Sequence, residues 1–208
     1  MMPADTGHTS QIKQTVERTN RMPAPLIMFT ALDPAQHAEE LVAFLTANTF
    51  PFHVRPRPTE AEVHEAVTKG RFWSDDSAGF WIDADGKRIG IATLDDLEEL
   101  ASGGNPVFDL RLAEPHRGRG LGAPVLRALT ALAFARFPRI GRFEGHTRED
   151  NVLMRRTFLP AGFVKEAHYR DAWAVDGEPP KACVVYAILR RDWKAGATTR
   201  VTWDDLPA

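Results

Sequence analysis

The chain has 208 residues, 43% hydrophobic and 26% charged, the size and composition of one domain with a substantial buried core. Its formal net charge of -2 gives no electrostatic reason for nucleic acid or an anionic membrane as a general partner. No apolar run reaches membrane-span length and no basic-then-apolar leader opens the chain, so a cytoplasmic protein is expected.

Residues 1–25 are polar and without sustained period, which predicts a flexible extension. Leu26 to Leu32 reads as the first strand, and Asp33-Pro34 supplies an N-cap and a proline at the first helical position. Ala38, Leu41, Val42 and Leu45 give that helix its buried face. The connector Thr49 to Pro58 contains Pro51, Pro56 and Pro58 and cannot be helical, whereas Thr59 with Glu62 three residues on is a capping-box pattern opening a second helix. Phe80 to Asp83 and Arg88 to Leu94 flank Asp85-Gly86, a hairpin signal, and an acidic run of Asp95, Asp96, Glu98 and Glu99 follows.

Val107 to Leu112 alternates, with Phe108, Leu110 and Leu112 on one face and Asp109 and Arg111 on the other, as a half-buried strand does. After the run His116-Arg117-Gly118-Arg119-Gly120-Leu121-Gly122, Val125, Leu126, Leu129, Leu132 and Ala133 recur at helical spacing until Pro138 stops the helix. Arg142 to Thr147 reads as the next strand. Asp150 or Asn151 can cap a helix running towards Leu159, where Pro160 interrupts it ahead of Gly162-Phe163. Phe163 to Val175 and Lys181 to Leu189 make a closing antiparallel pair, joined by a turn region containing Asp176-Gly177 and Pro179-Pro180. Cys183, the one cysteine, lies in this last strand and reads as a small buried thiol, since it excludes an internal disulfide. A polar C-terminal segment carries Trp193 and Trp203.

Strand, glycine turn and helix in succession point to an anion site. A helix N-terminus carries free N–H groups and a partial positive charge, and small residues let a phosphate approach them. Arg117 and Arg119 add formal charge. The spacing fits neither the dinucleotide fingerprint nor the nucleotide-triphosphate loop.

Arg117-x-x-Gly120-x-Gly122 after a strand resembles the acyl-CoA pyrophosphate loop of the GCN5-related N-acetyltransferases (GNAT), and Asn151 followed by Gly162-Phe163 is similar to a second block of that family. The C-terminal strand through Trp193 looks most like the branch of ribosomal-protein N-terminal acetyltransferases. The resemblance implies an α/β fold, a mixed, mostly antiparallel sheet flanked by helices with splayed fourth and fifth strands. It spans a domain over 26–193, with a tail over 194–208. It further implies that Arg117, Gly118, Arg119, Gly120, Leu121 and Gly122 hold the pyrophosphate of acetyl-CoA, that the backbone at Leu110 to Leu112 pairs with pantetheine, and that Asn151 contacts the same arm. Arg155 and Arg156 are candidates for the nucleotide phosphates. The connector between the first two helices forms a wall of the acceptor site in the family, which makes Phe50, Phe52, His53, Arg55 and Arg57 candidate substrate contacts.

In relatives with a carboxylate base on the fifth strand, it lies five residues before the motif asparagine, which is His146 here; Glu144 shares that strand face, and Asp109 is a third candidate. The tyrosine that protonates the departing thiolate in many relatives is Phe158 here, and the serine used in the ribosomal branch is Met154, which leaves Tyr169 as a remote candidate. That departure is survivable. For a thiol of pKa about 8.5, expelling thiolate near neutral pH costs only about 2 kcal/mol. A lysine amine of pKa about 10.4 costs about 3 kcal/mol more to deprotonate than an α-amine of pKa roughly 8, which favours low-pKa acceptors. The expected activity is acetyl transfer from acetyl-CoA to a primary amine, of a small molecule or a peptide, by direct attack in a ternary complex. No metal site is expected, and a homodimer is compatible with the reading. The alternatives are a non-catalytic acyl-CoA-binding module and a cofactor-less protein-interaction domain.

Overall fold

The computed structural model describes residues 24–203 and arranges its strands in one sheet, in the order β1-β2-β3-β4-β5-β7-β6. The extension expected over 1–25 lies outside the described residues except for its last two. The strands are β1 (Ile27–Ala31), β2 (Ala78–Ala84), β3 (Lys87–Asp95), β4 (Val107–Leu112), β5 (Arg142–Arg148), β6 (Val164–Val175) and β7 (Glu178–Leu189). All neighbours are antiparallel except β4 and β5, which run parallel and pair only at Val107 and Glu144. Past that point the two strands diverge. Among the described residues the β5-facing backbone of Leu110 to Leu112 is therefore without a strand partner, while β3 pairs along its other side.

The helices are α1 (Pro34–Thr46), α2 (Glu60–Thr68), α3 (Gly122–Arg136), α4 (Val152–Phe158) and α5 (Arg190–Ala195). Asp33 caps α1 by accepting from the Ala35 N–H, and Thr59 and Glu62 complete the capping box of α2, so both start where side-chain chemistry satisfies their free N–H groups. α1 and α2 cover one face of the sheet through Leu41, Leu45, Val63, Trp81 and Ile91. α3 and α4 cover the other through Leu126, Leu129, Phe134, Phe158, Phe143 and Ile82. Trp81 and Ile82, adjacent on β2, are both fully buried in different clusters, as a strand covered on both faces requires.

Two expectations need correction. The β6–β7 turn is only Asp176-Gly177, with Gly177 at φ 69°, and Pro179 and Pro180 lie inside β7. Before Cys183, β7 pairs with β6 alone, so prolines without an N–H cost no ladder bond on the open side. The boundary expected at 193/194 falls inside α5. Trp193 packs on Phe134 with ring centroids 5.1 Å apart, the Arg190 guanidinium donates to the carbonyls of Phe134, Phe137 and Ile140, and Asp192 accepts from Thr199.

Candidate active site

The glycine run leaves β4 through a short turn at Glu114–His116 and enters α3 at Gly122. Gly118 and Gly120 sit at φ 69° and 76°, the left-handed region in which side chains are strained. At Gly122 the constraint is proximity: a Cβ there would come within 3.0 Å of Thr157 Cγ2 on α4. Among the described residues no side chain caps α3, so its first N–H groups stay available to an anion.

Arg117 is pinned at the stem of this loop, its Nε donating to the Leu112 carbonyl at 2.8 Å and its guanidinium over the Phe50 ring. Burial lowers its pKa, and its Nη2 is buried with no partner among the described residues. A cavity of about 490 Å³ opens here, walled by Leu110 and Leu112, by Arg117, Gly118, Gly120, Leu121 and Gly122, and by Asn151 and Arg156 of the α4 region. An unpartnered buried guanidinium nitrogen, an uncapped helix start and Arg156 suit a diphosphate.

Arg119 and Arg155 do not join that wall. Arg119 is exposed beyond it, and Arg155 turns back to donate to the Glu149 carbonyl at 2.7 Å and towards the Tyr186 hydroxyl.

A second cavity, of about 450 Å³, lies where β4 and β5 diverge. The connector between α1 and α2 contributes Phe52, His53 and Arg55, β4 contributes Asp109 and Arg111, and β5 contributes His146 and Thr147. Phe50 is not part of this wall. It is 2% exposed, belongs to the core beneath α1, and borders only the first cavity. Arg57 lines neither cavity and donates to Thr49 Oγ1. Arg71, Asp95 and Trp173, none of them a sequence candidate for this wall except through the acidic run, complete it.

Two histidine–carboxylate pairs bear on this cavity: His53, Asp109 and His146 line it, and Glu144 is not part of its wall. On β5, His146 Nε2 lies 3.2 Å from Glu144 Oε1, and Arg142 donates to the other carboxylate oxygen. The hydrogen bond from His146 lowers the Glu144 pKa; burial opposes this and Arg142 reinforces it. An ionised Glu144 accepts a hydrogen bond from Nε2–H and so leaves Nδ1 of His146 with the free lone pair. Glu144 and His146, competing candidates in the sequence, are thus one pair. Across the cavity, His53 Nε2 lies 2.8 Å from Asp109 Oδ1, and Arg111 grips Oδ2 through Nε and Nη2. Burial disfavours the Asp109 carboxylate, yet the charges of Arg111 and His53 and their hydrogen bonds outweigh it and hold the carboxyl well below the usual range. Asp109 is consequently a poor proton acceptor.

Asn151 caps α4 by accepting from the Met154 N–H and donates to Thr147 Oγ1, so its placement in both cavity walls is structurally enforced. Phe158 is fully buried, stacked on Tyr186 at 4.5 Å between centroids, with its Cζ against Gly145. Tyr169 is 56% exposed on the edge strand and lines neither cavity. No cluster of metal-ligating side chains occurs among the described residues, and none of the described helices is long and apolar enough to cross a membrane.

Comparison with known proteins gives a match of residues 27–164 to the family model described as Acetyltransferase (GNAT) domain. Among solved structures the chain is similar to RimL, a ribosomal alpha-N-protein acetyltransferase in complex with coenzyme A, at 19% identity and a TM-score of 0.66 over 78% of this chain and 93% of that one. It is also similar to spermidine N-acetyltransferase from Vibrio cholerae in complex with CoA and spermine, at 16% identity and a TM-score of 0.68 over 81% and 98% of the two chains. A third, described as a probable acetyltransferase, matches at 22% identity and a TM-score of 0.64 over 80% and 94%.

Proposed function

Because the chain belongs to the GNAT acetyltransferase family and is an acetyl-CoA-dependent N-acetyltransferase, we propose that its two cavities divide the reaction between donor and acceptor. The observation that carries this reading is that Phe52, His53, Leu110, Arg111, Asn151 and Met154 line both, so the cavities meet where β4 and β5 part. The CoA diphosphate lies against Arg117, Gly118, Gly120 and the start of α3, with Arg156 beside it. The pantetheine arm pairs with the unpartnered backbone edge of Leu110 to Leu112 and carries the thioester to the junction. A primary amine enters through the second cavity.

His146 takes the amine proton through Nδ1, and Glu144 holds the ring in that tautomer. The amine attacks the carbonyl carbon, the C–S bond breaks, and the products are an N-acetylated amine and CoA. Among the described residues no activated nucleophile stands at the junction, which favours direct attack over an acetyl-enzyme. The acceptor is the amine of a small molecule or a peptide N-terminus, with low-pKa amines favoured, and a cytoplasmic location belongs to the same proposal. Thiol release from acetyl-CoA is the test, run over a panel of α-amines, polyamines and lysine side chains. Amine-dependent release is expected; tight CoA binding with no release for any amine would leave the acyl-CoA-binding module in its place.

A further inference from the structure

In the transferase reading the acceptor amine stands at the junction of the two cavities, among Phe52, His53, Leu110, Arg111, Asn151 and Met154. The rest of the acceptor then meets residues that line the second cavity and not the first, among them Arg55, Arg71 and Asp95. Their charges bear on which acceptor fits.

The carboxylates of this wall are already engaged by the protein. Asp109 Oδ1 is hydrogen-bonded to His53, and its Oδ2 accepts twice from Arg111. Asp95 Oδ1 accepts from Arg71 at 2.7 Å and from Ser77 at 2.8 Å, while Oδ2 accepts from Thr93 at 3.1 Å. Of the acidic run that closes β3, only Asp95 lines the cavity; Asp96 borders an adjoining hollow together with Asp76, and Glu98 and Glu99 border neither. Among the described residues, a cationic chain in this cavity therefore meets no unengaged carboxylate in its wall.

The guanidiniums are in the opposite condition. Arg71 makes one side-chain hydrogen bond, from Nη1 to Asp95, so its Nε and Nη2 have no partner among the described residues, on a side chain that is 46% exposed. Arg55 is 69% exposed and makes a 3.5 Å ion pair through Nη1 with Glu62, whose carboxylate also accepts from the Thr59 N–H in the α2 cap. Both arginines thus keep an Nε/Nη2 fork open, the arrangement that binds the two oxygens of a carboxylate at once.

Resting on the proposed transferase reading, we infer that the acceptor amine belongs to a molecule that also carries a carboxylate, and that Arg71 and Arg55 select it. Arg71 is the anchor, because Ser77 and Thr93 fix the carboxylate that orients it. Arg55 adds a second positive charge to the same wall. The two charges act against a polyamine, whose further ammonium groups would lie beside them uncompensated.

The test is kcat/KM for amines in matched pairs, each carboxylate set against its own amide: glycine with glycinamide, and glutamate α-amide with glutamine α-amide. Spermidine serves as the cationic amine, and rates are referred to the neutral amine because a neighbouring carboxylate raises an amine's pKa. In one pair or both the carboxylate should be preferred by roughly 10-fold or more, the effect of one charged hydrogen bond, with spermidine below either member. Arg71→Met should remove most of that preference. It also leaves Asp95 without its cation, so spermidine should gain relative to the amides, a change that loss of packing alone would not produce. Arg55→Met, at an exposed position, should lower the preference by a smaller factor; acetyl-CoA titration checks the fold of both variants. Equal use of acid and amide in both pairs, spermidine as the best acceptor, or a preference that survives in both folded variants overturns the inference and leaves the transferase reading standing. Thiol release with no amine of the panel overturns that reading, and this inference with it.

Discussion

His53 and Asp109 stand 56 residues apart in the chain and 2.8 Å apart in space, so a hydrogen bond between them ties the proline-rich connector between α1 and α2 to the centre of the sheet. Arg111, on the same face of β4, completes the arrangement with two further bonds to Asp109. Asp109→Asn leaves a largely buried guanidinium facing no anion and should cost about 3 kcal/mol, read as a fall in the urea midpoint.

The same carboxylate makes a pH prediction with a definite sign. Its folded pKa is depressed, so its stabilisation is complete above the ordinary carboxylate pKa of about 3.9 and is lost as pH falls through and below that value. The parent should lose more stability than Asp109→Asn between about pH 5 and about pH 2, and equal losses would show that Asp109 is not the depressed group.

His146 and Glu144 should behave as a unit. His146→Ala is expected to lower kcat by roughly 100-fold or more without weakening CoA binding. Glu144→Gln should lower it less, and the double variant should be no slower than His146→Ala alone, because the carboxylate acts through the ring. Equal and multiplicative losses would mean that the two act independently.

At the phosphate loop, Gly120→Glu adds a side chain at φ 76° and a negative charge where the diphosphate would sit. Calorimetric titration with acetyl-CoA should show at least a roughly 100-fold loss of affinity in a variant that keeps its fold, about 2.7 kcal/mol. Unchanged affinity would place the cofactor elsewhere.

Restoring the family's tyrosine with Phe158→Tyr should not raise the rate. The ring's Cζ abuts Gly145 of β5, so the new hydroxyl meets backbone in an apolar core rather than the cavity. A destabilisation of about 1–3 kcal/mol with kcat unchanged or lower is expected from thermal unfolding and thiol-release assays. A faster enzyme would show that the position still reaches the sulfur.

Much of the proposed donor site was legible in the sequence because its parts are neighbours along the chain. A strand, three glycines and a helix fix their own geometry locally, and that geometry is what a diphosphate reads. Even there local reading reached its limit at the arginines. Arg155 and Arg156 are adjacent in sequence, but a helix turns each residue about 100° from the last, so one faces the cavity and the other reaches back to the Glu149 carbonyl. Arg119 likewise follows Arg117 by two positions and ends up outside the wall.

Residue type and short spacing suffice for the alternation of β4, the caps of α1 and α2, the anion-seeking turn and the absence of a tyrosine at position 158. Tertiary structure alone decided the rest. It paired His53 with Asp109 and His146 with Glu144, sent Phe50 into the core, and brought Arg71 and Trp173 to the proposed acceptor cavity. Those choices depend on the register of strands far apart in sequence and on the parting of β4 from β5 after a single paired position, and no local pattern of residues encodes them.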